Sequence, residues 1–243
     1  MERIILMIIK RIFIAPYWLY LICKYGNTEK YSEEERYRVL SNIVKKVNRA
    51  GNVKIISDGE ENLPKENGYV LFPNHQGLFD ALVLLETNKQ PITFVMKKEI
   101  ENQWFIKKII KLLQAQIIDR DDIRQSMGVI NTMTKEVKEG RNYVIFAEGT
   151  RSRKGNELLD FKGGSFKSAV NAKCPIIPVA IMDSYKVFDS KSIKKATVRM
   201  AYLKPIYPEE YNKMKTTEIA CIVKERIGEY ISCLLYTSDA ADD

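Results

Sequence analysis

One histidine and one aspartate, five residues apart, are the side chains in this sequence best suited to moving a proton. His75 is the only histidine in the 243 residues, and an imidazole takes up and releases protons near neutral pH. The carboxylate of Asp80 can fix the imidazole tautomer and stabilise its charged form. Gly77, between them, allows the tight turn that brings the two together. The alternative is an ordinary turn at His75, with Asp80 capping the next helix.

A second compact group of polar residues is Glu148-Gly149-Thr150-Arg151, directly after the apolar run 143–146. Arg151 offers a planar fork that matches phosphate oxygens bidentately. Glu148 can orient that arginine or a substrate hydroxyl, and Gly149 allows close approach of the backbone. The alternative is a capped loop with a surface salt bridge. If these residues have a functional role, they predict a binding site for a phosphorylated substrate.

Both groups follow predicted strands, within a chain that alternates between strands and helices. The run 69–72 precedes His75 as 143–146 precedes Glu148, so both groups are expected at the C-terminal edge of a sheet, where open α/β sheets carry their chemistry. The other strands are predicted at 53–56, 92–96, 115–118, 176–181 and 196–203, and the helices at 32–51, 78–87, 103–113, 122–140, 165–172 and 216–231. This pattern predicts an α/β fold with a largely parallel central sheet flanked by helices.

Composition and charge narrow the class of protein. The formal net charge of +8 suits nucleic acid, an anionic membrane surface or a phosphorylated substrate. Four cysteines without CxxC spacing argue against a disulfide framework and are consistent with a reducing cytoplasm. Because a single histidine accompanies them, no metal site is expected. No nucleic-acid motif is found, so nucleic acid is not an expected partner.

The apolar N-terminal stretch 4–23 predicts a membrane-associated helix. Lys10 and Pro16 interrupt it, and its longest uninterrupted run is shorter than the roughly 20 residues of a membrane-spanning helix. Arg3 and Lys10 are expected to share a basic face, and aromatic residues cluster at 17–25, as they do at a membrane boundary. We therefore expect a helix that lies in or dips into one leaflet. The alternative is a helix packed on the domain core.

A second basic cluster alternates with large apolar residues over 97–111. Such a segment is amphipathic and can lie on a membrane surface, although a solvated helix face has the same pattern. An acidic protein partner could also dock on it. The basic residues are Lys97, Lys98, Lys107, Lys108 and Lys111, and the apolar ones Trp104, Phe105, Ile106, Ile109 and Ile110.

The order and separation of His75-x4-Asp80 and 148–151 resemble the glycerolipid acyltransferase family, most nearly the 1-acyl-sn-glycerol-3-phosphate acyltransferase (lysophosphatidic acid acyltransferase) type. Two departures from the family pattern are Ala147, where proline is usual, and Gln114-Ala115, where glycine is usual. Weaker blocks agree with the resemblance at 117–120, 161–164 and 177–181.

The resemblance implies transfer of a fatty acyl group from an acyl thioester to the free hydroxyl of 1-acyl-glycerol-3-phosphate, giving phosphatidic acid. The thioester is carried by acyl carrier protein or CoA, and no other cofactor is implied. His75 would act as the general base and Asp80 would orient it, while backbone N–H groups near Gly149 or Gly77 would hold the thioester oxyanion. The residues expected to bind substrate are Arg120, Glu148, Gly149, Thr150, Arg151 and Lys162.

The chain is expected to divide into three parts. Residues 1–50 are expected to form an N-terminal helical membrane-associating segment, and 51–232 an α/β acyltransferase domain. Residues 233–243 contain no Lys or Arg and are expected to be a non-native tail. The expected location is the cytoplasmic face of the cell membrane, as a peripheral or monotopic protein. The alternatives are an acyltransferase acting on another lysolipid and a non-catalytic basic membrane-binding protein.

Overall fold

A computed structural model describes residues 2–239 of the chain, with side chains to residue 235. Its centre is a seven-stranded sheet, and helices cover the sheet. The strands are β1 (Val53–Asp58), β2 (Val70–Pro73), β3 (Thr93–Lys97), β4 (Gln116–Ile118), β5 (Tyr143–Val144), β6 (Ile176–Met182) and β7 (Ala196–Tyr202). The α-helices are α1 (Glu2–Arg11), α2 (Ala15–Tyr25), α3 (Glu33–Ala50), α4 (Asp80–Thr87), α5 (Trp104–Leu113), α6 (Ile123–Lys138), α7 (Lys167–Ala172), α8 (Tyr185–Phe188), α9 (Pro208–Tyr211) and α10 (Thr216–Asp239).

The strands follow one another across the sheet in the order β1-β7-β6-β2-β5-β3-β4. All neighbouring pairs are parallel except β6 and β7, which are antiparallel. Every residue of the central strands β2 and β6 is buried, as expected for strands covered on both faces. The predicted α/β class with a largely parallel sheet is confirmed.

Helix α3 begins and ends where its sequence signals indicate. The Ser32 hydroxyl accepts a hydrogen bond from the Glu35 backbone N–H at 3.2 Å, and the Glu35 carboxylate accepts one from the Ser32 N–H at 2.9 Å. This reciprocal pair satisfies two backbone donors that the first helical turn leaves without partners. Gly51 follows the last residue of the helix. The apolar face of α3 packs against α1, α2 and α4.

The N-terminal segment forms two helices rather than one. No helix among the described residues is both long and apolar enough to cross a bilayer; α1 and α2 meet these criteria only together, and they are bent by 91°. One side of the pair packs inward through Met7, Trp18 and Ile22, which are buried. The other side exposes Ile5, Ile8, Ile9, Ile12, Phe13, Tyr17 and Tyr20.

Arg3 does not lie on a basic face shared with Lys10, so that expectation is wrong. Its side chain is buried and donates hydrogen bonds to four carbonyl oxygens. These are the carbonyls of Gly51, Val187, Ser192 and Lys194, at 2.6 to 3.0 Å. A guanidinium has five N–H donors and no acceptor, so it can bridge carbonyls from several segments. Arg3 therefore docks α1 onto the segments that follow α3 and β6.

Several element ends differ from the sequence prediction. Strand β5 contains two residues rather than the expected four, and the short helices α8 and α9 were not predicted. Helix α10 continues to Asp239, beyond the expected end at residue 231. The predicted non-native tail therefore overlaps α10 in 233–239, and 240–243 lie outside the described residues.

Candidate active site

The histidine and aspartate form the hydrogen bond that their spacing predicts. Strand β2 ends at Pro73, and the chain turns so that Asp80 opens α4. Nδ1 of His75 lies 2.7 Å from Oδ2 of Asp80. The same oxygen accepts hydrogen bonds from the backbone N–H groups of Gln76 at 2.7 Å and Gly77 at 3.0 Å. Because a carboxylate oxygen can only accept a hydrogen bond, Nδ1 of His75 must carry the proton. The lone pair of the imidazole is then on Nε2.

The rest of His75 is held by its neighbours. Its ring stacks on the ring of Phe146, with 4.1 Å between centroids. Its backbone N–H donates to Oε1 of Glu148 at 2.7 Å, and its carbonyl accepts from the N–H of Ser152 at 2.9 Å. The side chain is 22% exposed. Nε2 makes no hydrogen bond within 2–239, so it is available to a ligand.

Glu148 binds backbone groups and not Arg151. Its carboxylate is buried, and its oxygens accept from the N–H groups of His75 and, at 3.1 Å, Leu159. Burial raises the pKa of Glu148, and its two backbone hydrogen bonds oppose that rise. No hydrogen bond joins Glu148 to Arg151 in the described part of the chain. The expectation that Glu148 orients Arg151 is therefore wrong: it braces the histidine loop.

Two of the expected substrate-binding cations meet at Gly149. Arg120 donates a hydrogen bond from Nη1 to the Gly149 carbonyl. A Cβ added at Gly149 would lie 2.8 Å from this nitrogen and 3.2 Å from Nζ of Lys162. Gly149 also has a φ of +77°, which favours glycine. The exposed Thr150 follows directly, so four of the predicted site residues lie together.

The backbone donors expected to hold an oxyanion are already used. The N–H of Gly149 donates to the carbonyl of Phe146 at 3.0 Å, and that of Gly77 donates to Asp80. Neither is available to a thioester oxygen in this arrangement, so an oxyanion donor near these glycines would have to be the N–H of a neighbouring residue.

Arg151 lines a separate cleft of about 430 Å³ with Arg153, Tyr185 and Asp189. The cleft borders the histidine turn, since a Cβ added at Gly77 would lie 3.3 Å from Cα of Tyr185 and 3.7 Å from Oδ2 of Asp189. Neither arginine side chain forms a hydrogen bond or ion pair with another described residue. Sequence reasoning missed Arg153, although its position two residues after Arg151 was visible.

Three buried polar residues around the histidine were also missed. Nδ2 of Asn74 donates to the Ile181 carbonyl at 2.9 Å, and its Oδ1 accepts from the Ile181 N–H at 2.7 Å. This reciprocal pair joins the loop after β2 to strand β6. Oε1 of Gln76 accepts from the N–H of Ser184 at 3.1 Å, and the Ser184 hydroxyl donates to Asp80. The polar residues of the 74–76 loop were visible in the sequence, but their partners were not.

Gln114, which stands where the family pattern usually has glycine, adopts a left-handed backbone conformation. Gln114 ends α5 with φ 48° and ψ 45°, a conformation that glycine adopts with little strain. Its Oε1 accepts a hydrogen bond from Nη2 of Arg36 at 2.7 Å. The backbone leading to Arg120 is thus compatible with glutamine at this position. At the other departure, Ala147 is buried and its carbonyl accepts from the N–H of Lys162.

Metal ligands and cysteine thiols are two other sources of chemistry in a protein site. No group of three or more His, Cys, Asp or Glu in 2–239 is placed to hold a metal ion. Burial raises the pKa of the Cys174 thiol to about 12, which disfavours a nucleophilic thiolate there.

Comparisons with known proteins agree with one another. The family model described as Acyltransferase matches residues 54–182. The probable 1-acyl-sn-glycerol-3-phosphate acyltransferase of Mycoplasma genitalium is 30% identical over 223 residues, covering 86% of this chain and 80% of that protein. The 1-acyl-sn-glycerol-3-phosphate acyltransferase of Escherichia coli is 30% identical over 165 residues, covering 66% and 67%.

A solved structure shares the fold. The crystal structure of the 1-acyl-sn-glycerophosphate (LPA) acyltransferase PlsC from Thermotoga maritima superposes with a TM-score of 0.74. The match covers 94% of this chain and 96% of that one, at 20% sequence identity. At this identity the likeness shows the architecture and not the chemistry.

Proposed function

The chain belongs to the acyltransferase family, and from this we propose that it transfers a fatty acyl group from an acyl thioester to 1-acyl-glycerol-3-phosphate, giving phosphatidic acid. One observation carries the proposal. Within the matched segment, Nδ1 of His75 is bonded to the buried carboxylate of Asp80 while Nε2 is available. The acceptor is proposed because curated relatives carry the name 1-acyl-sn-glycerol-3-phosphate acyltransferase.

In the proposed reaction, Nε2 of His75 takes the proton of the acceptor hydroxyl as the oxygen attacks the thioester carbonyl carbon. The carbon–sulfur bond then breaks, and the leaving thiolate takes the proton back from the imidazolium. Asp80 stabilises the charged imidazole between these two steps. General base catalysis of this kind contributes roughly 10²–10⁴-fold in rate.

The acceptor phosphate is assigned to the cations around 148–151. Arg120 and Lys162 flank Gly149, and Arg151 faces the neighbouring cleft. A phosphate carries up to two negative charges, which one cation does not neutralise, and guanidinium groups bind its oxygens bidentately. Thr150 adds an exposed hydroxyl next to them. The phosphate is thus held beside the histidine turn, with the free hydroxyl directed at Nε2.

The test is to incubate the purified, detergent-solubilised protein with lysophosphatidic acid and either acyl-carrier-protein or acyl-CoA thioesters. We expect mass spectrometry to find phosphatidic acid with the wild type, and at least about a hundredfold less with His75→Ala. The thioester that supports the reaction identifies the donor.

Three outcomes contradict parts of this proposal. Equal rates for wild type and His75→Ala would show that His75 is not the general base. Product only with another lysolipid acceptor would replace the proposed acceptor. No acyl transfer to any lysolipid, by a protein that still binds vesicles, would favour a non-catalytic membrane-binding protein.

We further propose that the protein lies on the cytoplasmic face of the cell membrane as a peripheral or monotopic protein. The exposed apolar side of α1 and α2 supports this, as do the exposed Trp104 and Phe105 of α5. Nζ of Lys108 lies 5.0 Å from the Trp104 ring, so a cation and an aromatic ring share that surface. Such surfaces are typical of helices that bind anionic lipid.

A further inference from the structure

The turn after β6 brings a serine to the carboxylate that holds His75. Ser184 is fully buried, and its hydroxyl donates a hydrogen bond to Oδ1 of Asp80. The donors described above, including Nδ1 of His75, all bind the other oxygen, Oδ2. Ser184 is therefore the one donor to Oδ1 within 2–239.

The backbone of this turn is held in an unfavourable conformation. Asp183, directly before Ser184, has a φ of +64°, which is uncommon for a residue with a side chain. Asn156 holds it from both directions: the Asp183 N–H donates to Oδ1 of Asn156 at 3.0 Å, and Nδ2 of Asn156 reaches the Asp183 carboxylate at 3.1 Å. A strained backbone conformation persists only where its surroundings over-determine it.

Gln76 connects this turn to the histidine loop. Its Nε2 donates to Oδ1 of Asn156 at 2.7 Å, and its Oε1 accepts from the Ser184 N–H. Oγ of Ser184 also lies 3.1 Å from Oε1 of Gln76, and its single proton is assigned to Asp80 because that acceptor is charged. Gln76 and Asn156 thus hold the turn that presents the Ser184 hydroxyl to Asp80. None of these three side chains contacts Nε2 of His75, where the proposed reaction takes place.

We propose that Ser184 is a positioning residue for acyl transfer, whose hydroxyl fixes the Asp80 carboxylate so that Oδ2 faces Nδ1 of His75. The proposal rests on the proposed function. Without this hydroxyl, a buried charged oxygen has no donor among the described residues, which is costly. The carboxylate then turns towards another donor or takes up a proton, and either change releases the imidazole from a single tautomer.

The single histidine makes a direct test possible. In tag-free, full-length protein labelled with ¹⁵N-histidine, every imidazole signal comes from His75. We expect the wild type to show a single tautomer, protonated on Nδ1, with a slowly exchanging proton. In Ser184→Ala we expect a mixture of tautomers and a rapidly exchanging Nδ1 proton. Ser168→Ala, which removes an equally buried serine hydroxyl in α7, serves as the control and is expected to match the wild type.

Kinetic measurements then test whether the tautomer of the imidazole affects the rate of acyl transfer. Ser184→Ala is expected to lose about tenfold in kcat, the effect of one hydrogen bond to a charged group, with little change in the KM for either substrate. If Ser184→Ala does not fold, the partly buried Asn156 offers a second variant. Asn156→Ala is expected to change the tautomer signal and kcat in the same direction, by a smaller amount.

The two proposals fail in different ways. A folded, active Ser184→Ala variant with wild-type tautomer and wild-type kcat overturns the role of Ser184 and leaves the proposed function intact. A changed tautomer with unchanged kcat also overturns it, because the positioning then has no effect on the reaction. A wild-type protein that shows the single tautomer but transfers no acyl group contradicts the proposed function instead.

Discussion

At the scale of single residues, several polar side chains of the site bind the backbone rather than one another. Glu148 accepts from two backbone N–H groups, Asp80 accepts from two more, and Asn74 pairs with Ile181 on β6. Such bonds fix the path of a loop, which in turn fixes the side chain that the loop carries. The position of His75 is therefore set largely by residues that need not touch a substrate.

The crowding at Gly149 gives a prediction at this scale. Gly149→Ala is expected to raise the KM for lysophosphatidic acid by roughly tenfold or more, because displacing Arg120 or Lys162 removes a charge-assisted bond to the phosphate, worth about 1.5–3 kcal/mol. The left-handed φ adds a stability cost of about 1–2 kcal/mol. Initial rates measured against acceptor concentration test the KM, and thermal unfolding tests the stability.

Gly128 provides the matched control. It lies within α6, and a Cβ added there meets nothing within 4 Å. Gly128→Ala is expected to leave the KM unchanged and to stabilise the helix by about 0.5–1 kcal/mol. A folded Gly149→Ala variant with wild-type KM would show that the cations beside Gly149 do not bind the acceptor.

At the scale of elements, the hydrogen bond between Gln114 and Arg36 gives a second prediction. Replacing a left-handed residue by glycine relieves strain of about 1 kcal/mol. In Gln114→Gly this gain is offset by loss of a hydrogen bond to the Arg36 guanidinium, worth about 1.5–3 kcal/mol. We therefore expect chemical denaturation to show a net loss of about 1 kcal/mol in the free energy of unfolding.

Lys173 is the matched control for this substitution. It ends α7 with a φ of 53°, and it is exposed, with no side-chain hydrogen bond to another described residue. Lys173→Gly is expected to stabilise the protein by up to about 1 kcal/mol, because glycine relieves the strain of the left-handed φ. Equal effects of the two substitutions would show that the Arg36 bond contributes nothing to stability.

Helices and strands were easier to predict from the sequence than contacts between residues far apart in the chain. The strand before His75, the capping box at Ser32 and the alternation of strands and helices depend on neighbours in the chain, so local patterns indicate them. The hydrogen bond between His75 and Asp80 is also local. Ser184 lies 104 residues from Asp80, and no local pattern indicates that contact.

Arg3 shows that the surroundings of a charged side chain are also hard to predict from the sequence. A basic residue on an amphipathic helix gives one sequence pattern whether it faces lipid headgroups or buried carbonyl oxygens. The carbonyls that bind Arg3 come from three distant segments, so the pattern could not reveal its burial. Glu148 is similar, because its backbone partners depend on how two loops pass each other.

At the scale of the whole molecule, α2 and α5, two of the helices that expose large apolar residues, are neighbours. Helix α2 packs against α3 and α5, and a Cβ added at Gly26, after α2, would contact the Lys111 side chain of α5. The exposed apolar residues of these helices are accompanied by lysines of α5. If these exposed residues face the same bilayer, both the N-terminal helices and α5 contact lipid.

This arrangement predicts the effect of removing two exposed rings. Phe13 is 99% exposed at the bend between α1 and α2, and Trp104 is 64% exposed on α5. Burying such a side chain is worth about 1.5–3 kcal/mol, so we expect Phe13→Ser with Trp104→Ser to weaken binding to anionic vesicles by a hundredfold or more, at roughly tenfold or more per ring. Cosedimentation with phosphatidylglycerol-containing vesicles measures this.

Met214→Ser is the control, because it changes an exposed apolar residue between α9 and α10. It is expected to bind vesicles like the wild type. If the double variant also binds like the wild type, the membrane contact must lie elsewhere on the surface.

The sheet order also dictates a sequence of events during synthesis. The first strand, β1, pairs with the last, β7, about 140 residues later, and the carbonyls that bind Arg3 around 187–194 are made just before β7. At roughly 5–20 residues per second, β1 waits about 7–30 s for its partner. Throughout that interval only the Gly51 carbonyl, of the four that bind Arg3, has been made, while the apolar side of α1 is already complete. The nascent chain can therefore meet a bilayer through its first two helices before the domain that carries the histidine has closed.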